Sequence, residues 1–82
     1  MLVIDGVTYY YTEHAVVQKA DRDIPEAWIR QTIANPDREP EYDSERDNYR
    51  YHRLFRLNNR MYPLRVVVDH NTRMIVTVMY RD

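Results

Sequence analysis

Three stretches with strand periodicity lie one after another in the second half of the chain, and only short turn signals separate them. Tyr49–Leu57 alternates, with Tyr49, Tyr51, Arg53, Phe55 and Leu57 on one side and Arg50, His52, Leu54 and Arg56 on the other. Asn58-Asn59 follows, a turn because asparagine tolerates the left-handed region. Tyr62–Asp69 contains Val66-Val67-Val68, a run that predicts a central strand covered on both faces. His70-Asn71-Thr72 then turns into Met74–Tyr80. Strands joined by connections this short pair antiparallel. Whatever precedes them must extend that sheet or cover one of its faces.

The first half supplies both. Leu2–Ile4 and Val7–Tyr11 flank Asp5-Gly6, which predicts a hairpin with a type I′ turn. Gly6 is the only glycine in the chain and is expected at positive φ. Thr12 has the chemistry of an N-cap, with Glu13 in the first turn, and opens a helix of about ten residues. At about 100° per residue, Val16, Val17 and Ala20 fall in one arc and are expected against the core. His14, Gln18, Asp21 and Arg22 fall on the other side.

Asp23 is the expected cap of a second helix, with Pro25 as its first residue, where a missing N–H costs nothing. Trp28, Ile29, Thr32 and Ile33 share one face of it, and Trp28 reads as a core anchor. Asn35-Pro36 stops it, because a residue before proline avoids the α region. The acidic segment 37–48 has little apolar content. Part of it, around Glu39–Tyr42, reads as strand and the rest as a loop: a solvated connector, an electrostatic lid, or a mimic of phosphate that guards the basic sheet. The expected class is α+β, with two N-terminal helices packed on a mainly antiparallel sheet of four to five strands, in one domain spanning residues 1–82.

A chain of 82 residues buries only about 60–65% of its unfolded surface, so a stability of a few kcal/mol is expected. It has no cysteine, which excludes disulfides and thiolate metal sites, and leaves the core to hydrophobic burial helped by eight tyrosines. No stretch approaches the roughly 18–20 apolar residues of a membrane span, so a cytoplasmic chain without membrane contact is expected.

The formal net charge of −1 conceals a division. Residues 1–47 carry five Lys/Arg against eleven Asp/Glu, whereas residues 48–82 carry seven Arg against two Asp. Eleven of the twelve basic residues are arginine, the side chain whose planar fork grips phosphate or carboxylate in two places. Either the arginine stems cover a small sheet and pair with the acidic half, or the sheet binds an anion, a nucleic acid or an acidic partner.

The chemical inventory is narrow. His14, His52 and His70 show no HxxxH or HxH spacing, so no metal site is expected. No glycine-rich loop is present, the only serine is Ser44 in the acidic segment, and no cofactor is expected. A His/Arg/Tyr set remains. Metal-independent RNA cleavage needs a base near the 2′-hydroxyl, a proton donor for the 5′-oxygen and cations for the charged phosphorane. His14 lies one turn into a helix, where the dipole favours neutral imidazole and attracts anions, as suits a base beside phosphate. Arg22, two turns along the same face, is a candidate clamp. Arg50, His52, Arg53, Arg65 and Tyr80 on the sheet are candidates for the acid and for further clamps. Strand parity puts Arg50 and His52 on one face and Arg53 on the opposite one.

The order strand, helix, helix and then antiparallel strands resembles the RelE/ParE toxin superfamily, which includes the BrnT toxins. More narrowly, the chain resembles a family of small uncharacterised proteins with a Thr-x-His-Ala, Arg-x-Ile, Asn-Pro and Ile-x-Thr-Val-x-Tyr pattern. Here these are Thr12–Ala15, Arg22–Ile24, Asn35-Pro36 and Ile75–Tyr80, with Leu64–Val68 as the preceding valine strand. The resemblance implies a ribonuclease-like fold that works without metal, with His14, Arg22 and Thr77 at positions the family keeps. Gln18 stands where such proteins often carry Arg, and Asp23 where they often carry Gly.

The expected function is a toxin of a toxin–antitoxin pair that cleaves RNA, free or on the ribosome. Its antitoxin partner would be acidic where it covers the arginine-rich sheet. The alternative on the same fold is a non-enzymatic binding module, a gyrase-type inhibitor or small regulator. The near-zero net charge favours the latter, because proteins that grip ribosomal RNA are usually strongly basic. A homodimer is a further possible partner state.

Overall fold

In the computed structural model, which describes residues 1–81, the chain runs β1 (Leu2–Ile4), β2 (Val7–Tyr11), α1 (Glu13–Asp21), α2 (Glu26–Ala34), β3 (Glu41–Asp43), β4 (Asn48–Leu57), β5 (Arg60–Asp69) and β6 (Met74–Tyr80). The strands form one six-stranded mixed sheet in the order β1-β2-β6-β5-β4-β3. The protein is α+β, with both helices inserted between strands rather than preceding them. The expected four to five strands become six because the short edge strands β1 and β3 both pair. One pairing departs from the antiparallel rule: β2 runs parallel to β6 through Tyr10 opposite Met74 and Tyr11 opposite Ile75.

The tight turns form where left-handed residues sit. Asp5 and Gly6 have φ of 50° and 78°, and the hairpin closes Ile4 onto Val7. Asn58 and Asn59, at 52° and 64°, close Leu57 onto Arg60 in the same way.

Helix α1 begins as expected, with the Thr12 hydroxyl accepting from the Ala15 N–H at 3.1 Å. Its buried side differs from the expectation: Ala15 and Gln18 are buried, while Ala20 is exposed and Val16 and Val17 are about half exposed at 51% and 52%. His14, Asp21 and Arg22 are exposed, as the spacing predicts. The cause is the edge of β6. Strand β2 covers that edge only as far as Ile75, and beyond it backbone groups of β6 need partners. Thr12 donates its N–H to the Ile75 carbonyl at 3.0 Å, and Gln18 Oε1 accepts the Val78 N–H at 3.0 Å in a buried bond. A valine in place of Gln18 would leave that N–H without a partner.

Asp23 also differs from expectation. It does not cap α2; it closes α1 in the left-handed region at φ 49°, with its N–H on Ala20 O and the Ile24 N–H on Lys19 O, a Schellman pair. Pro25 then precedes α2 as its N-cap rather than opening it. Ile29, Thr32 and Ile33 face inward as the spacing predicts, and Trp28 stacks on Phe55 with centroids 4.5 Å apart. Helix α2 ends at Asn35-Pro36, where Arg53 Nη1 donates to the Asn35 carbonyl at 2.6 Å.

The core gathers between the helices and one face of the sheet: Leu2 and Ile4 from β1, Ala15, Ile24, Ile29 and Ile33, then Phe55, Leu64, Val66, Val68, Ile75 and Val78. Strand β6 keeps this face only by an irregularity. Val67 is opposite Thr77 but Val68 is opposite Ile75, so Val76 is an extra residue and Ile75 and Val78 both reach the core. No helix of the described residues is long and apolar enough to cross a membrane.

Candidate functional site

Alternation leaves the other face of the sheet without a helix over it. Along β4 the residues on that open side are Asn48, Arg50, His52 and Leu54; along β5 they are Pro63, Arg65 and Val67. Cross-strand register brings His52 opposite Arg65, Arg50 opposite Val67, and Val67 opposite Thr77. Two hollows lie here, of about 320 and 400 Å³. The first is walled by Asp37, Arg38, His52, Arg53, Leu54 and Pro63, the second by Asp43, Arg46, Asn48, Arg50, Arg65 and Thr77, and Arg81 belongs to both.

The ion pairing within this trough is unequal. Asp43 Oδ2 lies 2.7 Å from Arg50 Nη2 and 3.2 Å from Arg46 Nη1, so one carboxylate bridges two guanidinium groups. Asp43 Oδ1 meanwhile accepts the N–H groups of Glu45 and Arg46, which fixes the turn into β4. Burial opposes ionisation of Asp43, but the bonds from Arg46 and Glu45 and the charge of Arg50 outweigh it and hold the carboxyl below its usual value. Glu41 reaches Arg38 at 3.5 Å and His52 Nδ1 at 3.6 Å. Asp43 and Glu41 of the acidic segment are thus turned onto the basic face, and Asp37 lines the first hollow 3.9 Å from Arg53 Nη1. No ion pair reaches Arg65 or Arg81 among the described residues.

Arg65 donates from Nε to His52 Nε2 at 3.0 Å. That bond uses the imidazole lone pair and places the remaining proton on Nδ1, toward Glu41. Burial, then the charges of Arg38 and Arg65, push the His52 pKa below its usual value, so the ring is neutral near pH 7. Burial followed by the charges of Arg81 and Arg50 lowers the Arg65 pKa as well. Like charges crowd around Arg65, and an anion entering the trough would relieve that repulsion. The buried Asn48 Oδ1, on the wall of the larger hollow, has no hydrogen-bond partner.

The sequence candidates fall into groups. Arg50, His52, Arg65 and Thr77 come together in the trough. Arg53, opposite in strand parity, is committed to the Asn35 carbonyl and set over the Phe55 ring at 5.6 Å, and it also lines the first hollow. Arg22 and Tyr80 lie on the helix side, in the wall of a separate aromatic hollow. His14 is exposed in the first turn of α1 and lines neither hollow of the trough. Its proposed action on a phosphate held by Arg50 and Arg65 therefore has no geometry to support it. The neutral His52 is a poor acid, since its only proton is that of an uncharged imidazole.

Sequence reasoning missed Arg38, Arg46 and Arg81 as members of the face, and Asp43 as their bridge. Arg81 was within reach: it lies two residues beyond Met79 and four beyond Thr77, in step with the open side of β6. Arg38 and Arg46 carried no such signal, because they stand in connections whose course the strand pattern does not specify.

These features define a small α+β domain with one helix-covered face and one open, arginine-lined face. The chain belongs to a family described as a domain of unknown function (DUF4258), whose profile matches residues 11–80. The matched span covers α1 through β6 and leaves the β1 edge outside. Neither the curated proteins nor the solved structures give a match to the chain.

Proposed function

We propose that the open face of the sheet binds the phosphodiester backbone of RNA, and that the protein is a toxin-like domain of the RelE/ParE/BrnT kind acting on RNA or the ribosome in the cytoplasm. One observation carries this reading: Arg50, Arg65 and Arg81 converge with His52 and Thr77 on a single uncovered face, and no ion pair reaches two of those arginines among the described residues. Guanidinium groups spaced along a trough suit successive phosphates, and Thr77 adds a neutral donor. An antitoxin would cover this face with carboxylates placed as those of Asp43 and Glu41 are.

In the ribonuclease form of the reading, Arg50 and Arg65 clamp the scissile phosphate and no metal takes part. A second form, binding without cleavage as in an inhibitor or small regulator, is favoured by a specific arrangement. His14 lines neither hollow, Tyr80 lies on the other side of the sheet, and the His52 lone pair is engaged by Arg65.

Induced expression in bacteria separates these forms. Wild type is compared with an Arg50→Ala, Arg65→Ala variant, following growth and total RNA integrity. Arrest with RNA cuts for wild type alone establishes the ribonuclease. Arrest with intact RNA that the variant relieves establishes binding without cleavage. Arrest that persists in the variant removes the open face from the activity, and no arrest from soluble, folded wild type rejects the toxin-like reading.

A further inference from the structure

We propose that the hollow between the α1–α2 junction and the β4–β5 hairpin is a second binding site, which takes one unstacked nucleobase of a single-stranded nucleic acid. It lies on the helix side of the sheet and does not depend on the open-face reading. The hollow has a volume of about 210 Å³ and is walled by Trp28, Tyr62, Tyr80 and Leu57, with Arg22 and Asp23 at its mouth.

Its walls are built from rings. Trp28 and Tyr62 have centroids 5.5 Å apart, Tyr62 and Tyr80 5.3 Å, and Trp28 and Tyr80 6.5 Å, with the planes inclined by 53°, 57° and 75°. All three rings are only partly buried, and Leu57 beside them is 49% exposed. Neither the Tyr62 nor the Tyr80 hydroxyl has a hydrogen-bond partner among the described residues. The three rings pack with their inner edges against the core and leave their outer edges at the surface. The cluster presents apolar ring surface and free hydroxyls to whatever enters.

Size and surface select the occupant. Pockets for drug-sized ligands run from about 300 to 1,000 Å³, so this hollow suits a single flat ring system. Arg22 and Asp23 are adjacent, exposed and of opposite sign. Their charges cancel, so the hollow carries no net field that selects for a cation or an anion, and the rings decide the occupant. A nucleobase fits this size and surface: it stacks on aromatic rings whatever its identity, and its edge carries donors and acceptors that can meet Asp23 and Arg22 together.

Trp28 is the only tryptophan, so its indole N–H gives a single reporter resonance by NMR. The full chain is titrated with adenosine, uridine, tetramethylammonium and N-acetyl-leucinamide. The expected result is a saturable shift with the nucleosides alone, at least tenfold weaker in Tyr62→Ala and clearly weaker in Arg22→Glu, an exposed position that spares the fold. Nucleoside binding is expected to be unchanged in the Arg50→Ala, Arg65→Ala variant. No saturable shift with either nucleoside overturns the proposal, as does a shift with tetramethylammonium or the leucine amide in preference. Loss of nucleoside binding in the open-face variant also overturns it, by moving the base site to the trough. If RNA binding ignores Arg50 and Arg65 while nucleosides still shift Trp28, the open-face reading fails and the base site stands.

Discussion

Strands β4 and β5 present two unlike surfaces built from alternate residues of the same chain. On one side Leu64 and Val66 are fully buried beneath the helices, next to Phe55 at 8% exposure. On the other, Arg65 and Arg50 stand in an open trough with His52 between them. Burying a Leu or Val side chain stabilises a fold by about 1.5–3 kcal/mol, whereas exposed ion pairs contribute about 0–1 kcal/mol. The helix side therefore holds the domain together, and the arginine side is available for ligands. A shift of one residue in register would exchange the two roles.

The largest break in that comparison is expected from neighbours on β5. Leu64→Ala should cost about 2–5 kcal/mol, much of the stability of so small a domain, while Arg65→Ala should cost only about 1 kcal/mol. Urea unfolding of both variants measures the difference, and equal losses would show that the arginine side is structural. Next in size is Gln18→Leu, which keeps the volume but leaves the buried Val78 N–H unpaired, at a cost of about 1–3 kcal/mol. Faster amide exchange at Val78 would mark the cause.

A smaller effect is expected from pH. Burial and the charges of Arg38 and Arg65 lower the folded pKa of His52 below 6.5, and Glu41 offsets this only in part. Above about pH 6.5 both folded and unfolded rings are neutral and the stability is fully present. As pH falls below that value the unfolded chain binds a proton that the folded chain refuses, so stability declines. His52→Gln should flatten this part of the curve in denaturation series run across pH. Asp43→Asn keeps the acceptor of the turn and removes the charge that bridges Arg46 and Arg50, so RNA affinity should rise several-fold without loss of fold. The smallest change is Asp23→Gly, which relieves a left-handed residue and should stabilise by about 0.5–1 kcal/mol in thermal melts.

What was legible in the sequence was local. Asp5-Gly6 and Asn58-Asn59 close their hairpins because the signal and the strain reside in the same two residues. Parity along β4 placed Arg50 and His52 together and Arg53 opposite them, since the side-chain period of a strand needs no partner to set it. The face of α1 was not legible, because the bond that orients Gln18 reaches a residue sixty positions away on β6. Strict alternation along β6 would have separated Ile75 from Val78, and the extra residue Val76 brings them to one side. Tyr80 could not be assigned to the helix side before that irregularity was known. The bridge by Asp43 depends on β3 pairing with β4, which short polar strands do not announce.

The most direct test of the central claim, that the open arginine face is the surface that meets phosphate, is the salt dependence of RNA binding. A fluorescent single-stranded RNA is titrated with wild type, with Arg50→Ala, Arg65→Ala, and with a charge-matched Lys19→Ala, Arg73→Ala control, from about 50 to 200 mM salt. The open-face variant should bind more weakly and lose about two from the slope of log K against log salt, one for each phosphate contact removed, while the control keeps the wild-type slope. Equal slopes for all three proteins, or a loss in the control as large as in the open-face variant, would contradict the account.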